Sequence, residues 1–226
     1  MMDERSALLY AKLNSFNSLV SKTKSFIRWS LQQVDRPYVA CSFGKDSSVM
    51  LHLVLEAKPN IQIKMLAKAE THLIDDYDDV IKWWETKFSC EVERITYKGW
   101  MEGGTKKGIA NNMKADDNDA FFVGIRREES VARRITLSKF GKFYRMKDGK
   151  VRIAPLSIWS VDDIAAYLVS RELPILRAYQ REGFEARTTT SIPSKFPHEA
   201  ISRLKDADVS AYNKLVSTFP DAKYFT

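Results

Sequence analysis

Cysteine is scarce in this chain. The 226 residues include two cysteines, Cys41 and Cys90, which lie far apart and form no Cys-x-x-Cys pair. Histidine is also rare, with three residues. Zinc sites and iron–sulfur clusters need several cysteine or histidine ligands, and disulfide-stabilised folds need many paired cysteines. We therefore expect no zinc, no iron–sulfur cluster and no disulfide framework.

Glycine, proline and long apolar runs are also few. Nine glycines and seven prolines, with 44% hydrophobic and 29% charged residues, are typical of a globular chain and exclude collagen-like or low-complexity classes. The longest apolar runs, such as residues 49–55, fall far short of the roughly 18 residues that cross a bilayer. Three of the first five residues, Asp3, Glu4 and Arg5, are charged, unlike a secretion signal. The sequence predicts a cytoplasmic protein without a membrane partner.

Positive charge is concentrated in one segment. The whole chain carries a net charge of +7, and residues 126–152 hold ten basic and three acidic residues, which already gives +7. Such a cluster favours a phosphate-bearing partner, which can be a nucleotide or a nucleic acid, and it also suits a protein partner. The alternative is a solvated basic helix and hairpin.

Apolar periodicity predicts an α/β fold. Helical spacing over residues 5–34 indicates one or two amphipathic helices, which could also form a homodimer. Beyond Pro37, we predict strands at 38–41, 61–67, 90–96 and 121–125, helices at 48–57, 74–88 and 128–140, a hairpin over 143–154, and helices at 160–171 and near 198–217. This order indicates a parallel twisted, Rossmann-like sheet with helices on both faces. The predicted parts are an N-terminal helical extension (1–35), a nucleotide-binding α/β domain (36–184) and a C-terminal helical tail (185–226).

The turn after the first strand has the ingredients of a phosphate-binding loop. Residues 41–48 read Cys-Ser-Phe-Gly-Lys-Asp-Ser-Ser and lead directly into a helix. Gly44 lets the backbone approach an anion, the serines offer hydroxyls, Lys45 is a cation, and a helix N-terminus favours anions. It is not a Walker A loop, since Val39 stands where the first glycine is needed. The alternative is a hydrophilic turn with a capping Asp or Ser.

Four motifs together resemble a known superfamily. Ser-x-Gly-Lys-Asp-Ser after the first strand is similar to the PP-loop of the ATP pyrophosphatase (adenine nucleotide alpha-hydrolase-like) superfamily. Within it, the chain most resembles the phosphoadenosine-phosphosulfate (PAPS) reductase-like branch. Residues 70–78, the arginine-rich residues 124–134 and the Pro-Leu…Trp…Asp-Ile pattern of residues 154–164 follow in the order of that branch. The resemblance spans roughly residues 36–190.

The resemblance implies an ATP pyrophosphatase or nucleotidyltransferase-type enzyme. It would cleave ATP between the α- and β-phosphates with Mg²⁺, release pyrophosphate and adenylate an acceptor, as a transferase or hydrolase. Lys45, Asp46, Arg126 and Arg127 are the implied catalytic residues, and Asp46 either caps the helix or contacts Mg²⁺. The implied ATP and phosphate contacts are Ser42, Phe43, Gly44, Lys45, Asp46, Ser47, Ser48, Glu70, Thr71, Gly124, Arg126 and Arg133. For Arg133, a surface charge paired with Glu129 is the alternative.

The sequence departs from that branch in its tail. PAPS reductases use a cysteine in a C-terminal motif, and residues 187–226 contain none. Without a thiolate the reductase intermediate cannot form, so we expect an enzyme other than a genuine PAPS reductase. The alternatives are a non-catalytic nucleotide- or sulfonucleotide-binding regulator, which would act with a protein or nucleic-acid partner, and a nucleic-acid-binding module. We expect His52, Pro155, Leu156 and Trp159 to be structural and Asp163 to lie in a helix N-terminus.

Overall fold

Strands and helices alternate after two N-terminal helices, as the sequence predicts. The computed structural model describes residues 2–68, 76–97, 117–177, 179, 183–184 and 197–226. The helices are α1 (Glu4–Tyr10), α2 (Asn14–Leu31), α3 (Lys45–Leu55), α4 (Tyr77–Phe88), α5 (Val131–Phe140), α6 (Val161–Ser170), α7 (Pro197–Ala207) and α8 (Val209–Thr218). The strands are β1 (Pro37–Ala40), β2 (Gln62–Lys68), β3 (Val92–Tyr97), β4 (Ala120–Val123), β5 (Phe143–Arg145) and β6 (Val151–Ile153). Short 3₁₀ helices lie at Arg127–Glu129 and Pro220–Phe225.

The six strands form one sheet in the order β3-β2-β1-β4-β6-β5. All neighbours run parallel except β5 and β6, which form the predicted antiparallel hairpin. The mostly parallel α/β fold is therefore confirmed. Strand β1 leads to β2 on one side and pairs with β4 on the other, so the strand order changes direction at β1. Loops that follow the strands at such a point form a crevice.

The two N-terminal helices pack into the same core as the sheet. Phe16, Val20 and Ile27 of α2 are buried in that core, and the indole of Trp159 donates to Thr23 Oγ1 at 3.0 Å. These helices therefore stabilise the α/β core directly. The homodimer through them stays a prediction. No helix in the described parts of the chain combines the length and apolarity needed to span a bilayer.

Residues that we expected to be structural have packing roles. His52 lies against Trp84, Phe88 and Tyr167, and its Nδ1 is 2.9 Å from the Tyr167 hydroxyl. Asp163 forms a capping box with Ser160 at the start of α6. It also accepts a hydrogen bond of 3.1 Å from Tyr10, which ties α1 to α6.

Several element boundaries differ from the predicted ones. Helix α3 begins at Lys45, three residues earlier than predicted, so its first turn includes part of the phosphate-binding loop. The last predicted helix is two helices, because Asp208 ends α7 and caps α8 by accepting from Ala211 N. Helices α7 and α8 form a separate small core around Ile201, Leu215 and Ala222. The division of the chain at residues 35 and 184 stays a prediction.

Candidate functional site

A cleft of about 470 Å³ opens at the point where the strand order changes. Its walls come from the loop after β1, the turn after β4 and the start of α5. Its lining includes the predicted residues Ser42, Gly44, Lys45, Asp46, Ser47, Gly124 and Arg133. Further lining residues are Ala40, Cys41, Lys64, Val123, Ile125, Glu129, Ser130 and Tyr179. The structure thus brings two sequence motifs about 80 residues apart to one place.

The N-terminus of α3 forms one wall of this cleft. Gly44 is the N-cap residue, and no side chain of the described residues caps the helix. The amide of Ser48 donates to the carbonyl of Gly44 at 2.9 Å, which closes the first helical turn. A helix N-terminus carries partial positive charge and outward-pointing amides. This wall is therefore suited to an anionic ligand.

Serine hydroxyls extend that wall. Ser42 is exposed, and its Oγ lies 3.1 Å from Ser47 Oγ, which in turn donates to the carbonyl of Gly44 at 3.0 Å. Ser48 lies outside the lining, and its buried Oγ has no hydrogen-bond partner among the described residues. Ser42 and Ser47 are thus better placed than Ser48 to meet a ligand.

Phe43 has an unusual backbone conformation within the loop. Its φ is 53°, in the left-handed region, and its ring is fully buried. Its amide donates to the Cys41 sulfur at 3.4 Å. A bulky residue with positive φ is strained, so burial of the ring must stabilise the loop in this shape. Phe43 therefore supports the loop from below and does not line the cleft.

Lys45 is the cation that the phosphate-binding loop contributes to the cleft. It is 7% exposed, with Nζ 3.6 Å from Asp46 Oδ2 and 5.1 Å from the centre of the Tyr179 ring. Tyr179 was absent from the predicted site, since a lone tyrosine beyond the last motif gives no sequence signal. The aromatic ring and the carboxylate hold the ammonium group at the edge of the cleft.

Asp46 and Arg126 form a buried ion pair below the phosphate-binding loop. Arg126 Nε donates to Asp46 Oδ1 at 2.5 Å, and its Nη1 donates to Glu128 and, at 3.4 Å, to the Trp159 carbonyl. Arg126 is 3% exposed and is not among the cleft-lining residues. In this structure Arg126 supports the phosphate-binding loop, and its contact with a ligand stays a prediction. Its partners on three chain segments fix the guanidinium in place.

The surroundings of Asp46 argue against a metal ligand. Burial raises the pKa of the Asp46 carboxyl, and Glu129 acts in the same direction, whereas Arg126 and Lys45 oppose the shift. Both carboxylate oxygens face cations, Arg126 and Lys45. Gly44, not Asp46, is the N-cap. Asp46 therefore does not cap the helix, and two cations already face its carboxylate, while its contact with Mg²⁺ stays a prediction.

Gly124 allows the two motifs to meet. A Cβ atom at this position would lie 2.8 Å from Ser47 N and 2.9 Å from the Asp46 carbonyl group. These distances are well below van der Waals contact, and the neighbouring atoms are backbone. Only glycine therefore permits this packing of the β4 turn on the start of α3.

The remaining predicted residues differ in their placement. Arg127 is exposed, and its amide donates to the Ser157 carbonyl at 3.0 Å. Arg133 is half-buried in the cleft wall and forms an ion pair with Glu129, so the predicted pairing is present at the cleft itself. Glu70 and Thr71 lie outside the described residues.

Comparisons with known proteins agree with this fold. A PAPS reductase of Buchnera aphidicola is 26% identical over 184 residues, which cover 71% of this chain and 73% of that protein. A Candida auris PAPS reductase in a phosphate complex has a TM-score of 0.54 at 15% identity, covering 71% of this chain and 87% of that chain. A Candida glabrata FMN adenylyltransferase in complex with ATP has a TM-score of 0.58 at 14% identity, and the match covers 78% of this chain and 65% of that chain. The two structures show a shared fold.

A protein-family model matches most of the chain. The model of the phosphoadenosine phosphosulfate reductase domain matches residues 36–192, which include the sheet, the phosphate-binding loop and the β4 turn. The chain therefore belongs to the phosphoadenosine phosphosulfate reductase domain family.

Proposed function

We propose that the protein binds ATP in the cleft, cleaves the bond between the α- and β-phosphates and transfers the adenylyl group to an acceptor. The observation that carries this proposal is the wall formed by residues 42–47. There an uncapped helix N-terminus, two serine hydroxyls and Lys45 face the same cleft. These groups match the oxygens of a polyphosphate chain.

The groups of this wall would have different parts in the reaction. The amides of the first turn of α3, with Ser42 and Ser47, would hold the β- and γ-phosphates. An acceptor atom forms a bond to the α-phosphorus while the bond to the bridging oxygen breaks, and its electron pair leaves with pyrophosphate. Lys45 would neutralise the charge that develops on that leaving group, which is the main task in phosphoryl chemistry. Magnesium would arrive as Mg·ATP, because Asp46 is occupied by cations.

Reduction of PAPS by a cysteine is not proposed. Burial raises the pKa of Cys41 to about 12, and its sulfur already contacts the Phe43 amide and the Ser47 carbonyl. Burial also raises the pKa of Cys90, whose sulfur lies 3.5 Å from the Trp84 carbonyl. The thiolate is the reactive form of cysteine, and both environments disfavour it. Neither cysteine is therefore suited to nucleophilic attack.

One observation favours a non-catalytic alternative. The two carboxylates of the described cleft lining are Asp46 and Glu129. Asp46 is paired with Arg126, while Glu129 is paired with Arg133 and accepts from the Arg126 amide at 2.6 Å. Neither is free to act as a general base. A regulator that binds a nucleotide or sulfonucleotide and acts with a partner would have the same cleft without turnover.

Calorimetric titration with Mg·ATP and, separately, with PAPS tests the proposal. Lys45→Ala should weaken ATP binding by about 1.5–3 kcal/mol, since a hydrogen bond to a charged group is lost, which is about ten- to a hundredfold in Kd. Lys82→Ala, an exposed lysine of α4, is the matched control and should bind like the wild type. Wild-type ATP affinity in Lys45→Ala would remove the proposed site.

Pyrophosphate release separates the two candidate functions. Mg·ATP and a panel of acceptors (sulfate, FMN, small metabolites and RNA) should give Lys45-dependent pyrophosphate if the protein is an adenylating enzyme. Tight binding without release for every acceptor would favour the regulator. A clear preference for PAPS over ATP would identify a sulfonucleotide binder.

A further inference from the structure

The structure divides the basic segment 126–152 into two parts. At the cleft end, Arg126 and Arg133 are paired with carboxylates. At the far end, residues 139–147 hold four cations and no acidic residue. These cations are Lys139, Lys142, Arg145 and Lys147; all four are exposed, and none forms an ion pair with a carboxylate in the described residues. A nucleotide in the cleft does not explain them, since none of the four lines it.

Exposed aromatic rings lie among these cations. Trp29 of α2 is 46% exposed and packs edge-on against Phe143 of β5, with ring centres 5.1 Å apart. Phe26 stacks on Trp29 at 5.8 Å, and Lys142 Nζ lies 3.9 Å from the centre of the Phe26 ring. These contacts hold Trp29 in place while leaving much of its indole accessible. Lys142 adds a positive charge to the same cluster.

A second ring lies beyond the same strand. Phe140, at the end of α5, is 50% exposed and stacks on Tyr144 of β5 at 5.4 Å. Strand β5 is the last strand of the sheet, and successive side chains of a strand point to opposite faces. Trp29 and Phe140 therefore flank the edge of the sheet on its two faces. Lys139 Nζ lies 5.2 Å from the centre of the Phe140 ring, while Arg145 ends β5 and Lys147 follows in the hairpin turn.

We propose that this basic aromatic surface, formed by Trp29, Phe140, Lys142, Arg145 and Lys147, binds single-stranded nucleic acid. The cations complement the phosphates, and the rings offer stacking platforms for unpaired bases. A duplex hides the faces of its bases, so it would use the cations and leave the rings unoccupied. An acidic peptide would likewise pair with the cations and leave the rings without a stacking partner. The inference goes beyond the proposed function and does not depend on nucleotide turnover in the cleft.

Fluorescence anisotropy with a labelled oligouridine tests this proposal on the full chain. The logarithm of the association constant falls linearly with the logarithm of the salt concentration, by about 0.7 for each phosphate contact on a single strand. The charge variant Lys142→Ala/Arg145→Ala/Lys147→Ala removes three cations, so this slope should become less steep by about 2. The matched control removes three exposed lysines elsewhere, Lys82→Ala/Lys87→Ala/Lys214→Ala, and should leave the slope unchanged. If the two triple variants changed the slope equally, oligouridine would be attracted by the overall charge of the protein, and the proposed binding surface would be wrong.

The aromatic part has its own test. Trp29→Ala should weaken oligouridine binding about fivefold or more, because one stacking platform is lost, while Trp29→Phe should restore most of it. Duplex RNA of the same length should bind more weakly than oligouridine and respond little to Trp29→Ala. ATP titration of each variant should match the wild type, which shows that the cleft is intact. Absence of oligouridine binding, or equally tight binding of duplex RNA or polyglutamate, would overturn the proposal.

Discussion

At Phe43, we expect replacement by glycine to destabilise the fold less than replacement by alanine, which is the reverse of the order at an ordinary core phenylalanine. Its ring is fully buried, while its backbone has a φ of 53°. For a residue with a Cβ atom, the left-handed conformation costs about 1–2 kcal/mol, and glycine escapes this cost. We therefore compare two substitutions at this position, Phe43→Ala and Phe43→Gly.

The magnitudes follow from these two contributions. Both variants lose the buried ring, which destabilises the fold by about 3–5 kcal/mol. At an ordinary position alanine would be the more stable of the two by about 0.4–1 kcal/mol, because glycine gives the unfolded chain more freedom. At Phe43 the strain outweighs that difference. The free energy of unfolding of Phe43→Gly should exceed that of Phe43→Ala by about 1 kcal/mol.

Urea unfolding, followed by circular dichroism, measures this difference. Phe122 provides the matched control, because it is also fully buried and lies in β4 with extended backbone. There Phe122→Ala should be more stable than Phe122→Gly, since glycine weakens a strand. The same order of stability at both positions would refute the strain that we infer for Phe43.

Three further predictions concern the cleft and the core. Gly124→Ala should lower the free energy of unfolding by about 1–3 kcal/mol and should also weaken ATP binding, because the new Cβ would lie 2.8 Å from Ser47 N. Wild-type values in both urea unfolding and ATP titration would contradict this prediction. Arg126→Ala should lower the free energy of unfolding by about 3 kcal/mol, the lower end of the range for breaking a buried ion pair, because Asp46 keeps Lys45 as a second cation. Exposed Arg127→Ala should change it by less than about 0.5 kcal/mol, and similar losses in the two variants would disprove the supporting role of Arg126. Burial lowers the pKa of His52, so the unfolded chain binds a proton that the folded chain does not, and stability should fall as the pH drops below about 6.5. His52→Gln should flatten this part of a pH series of urea melts, and an unchanged slope would contradict the prediction.

Much of the fold could be predicted from local patterns. The strands β1, β2 and β4 are short segments rich in apolar residues and are separated by helical segments, and this alternation allows few topologies. The phosphate-binding loop stands out because Gly44 and Lys45 come directly between a strand and a helix. The cleft position then follows from the meeting of strand ends at one edge of a parallel sheet.

The roles of individual side chains could not be predicted in this way. The partner of Arg126 is Asp46, 80 residues earlier, and no local spacing connects the two. A buried arginine and an exposed one, Arg126 and Arg127, are adjacent in sequence and look alike there. The positive φ of Phe43 and the contact of Tyr179 with Lys45 likewise depend on packing between distant segments.

The ion pair between Asp46 and Arg126, together with the close packing of Gly124, links the start of α3 to the turn after β4, and these form two walls of the cleft. We expect this joint to hold the two walls at the same distance with and without a ligand. Binding should then proceed as a single encounter on a preformed surface, without a preceding opening of these walls.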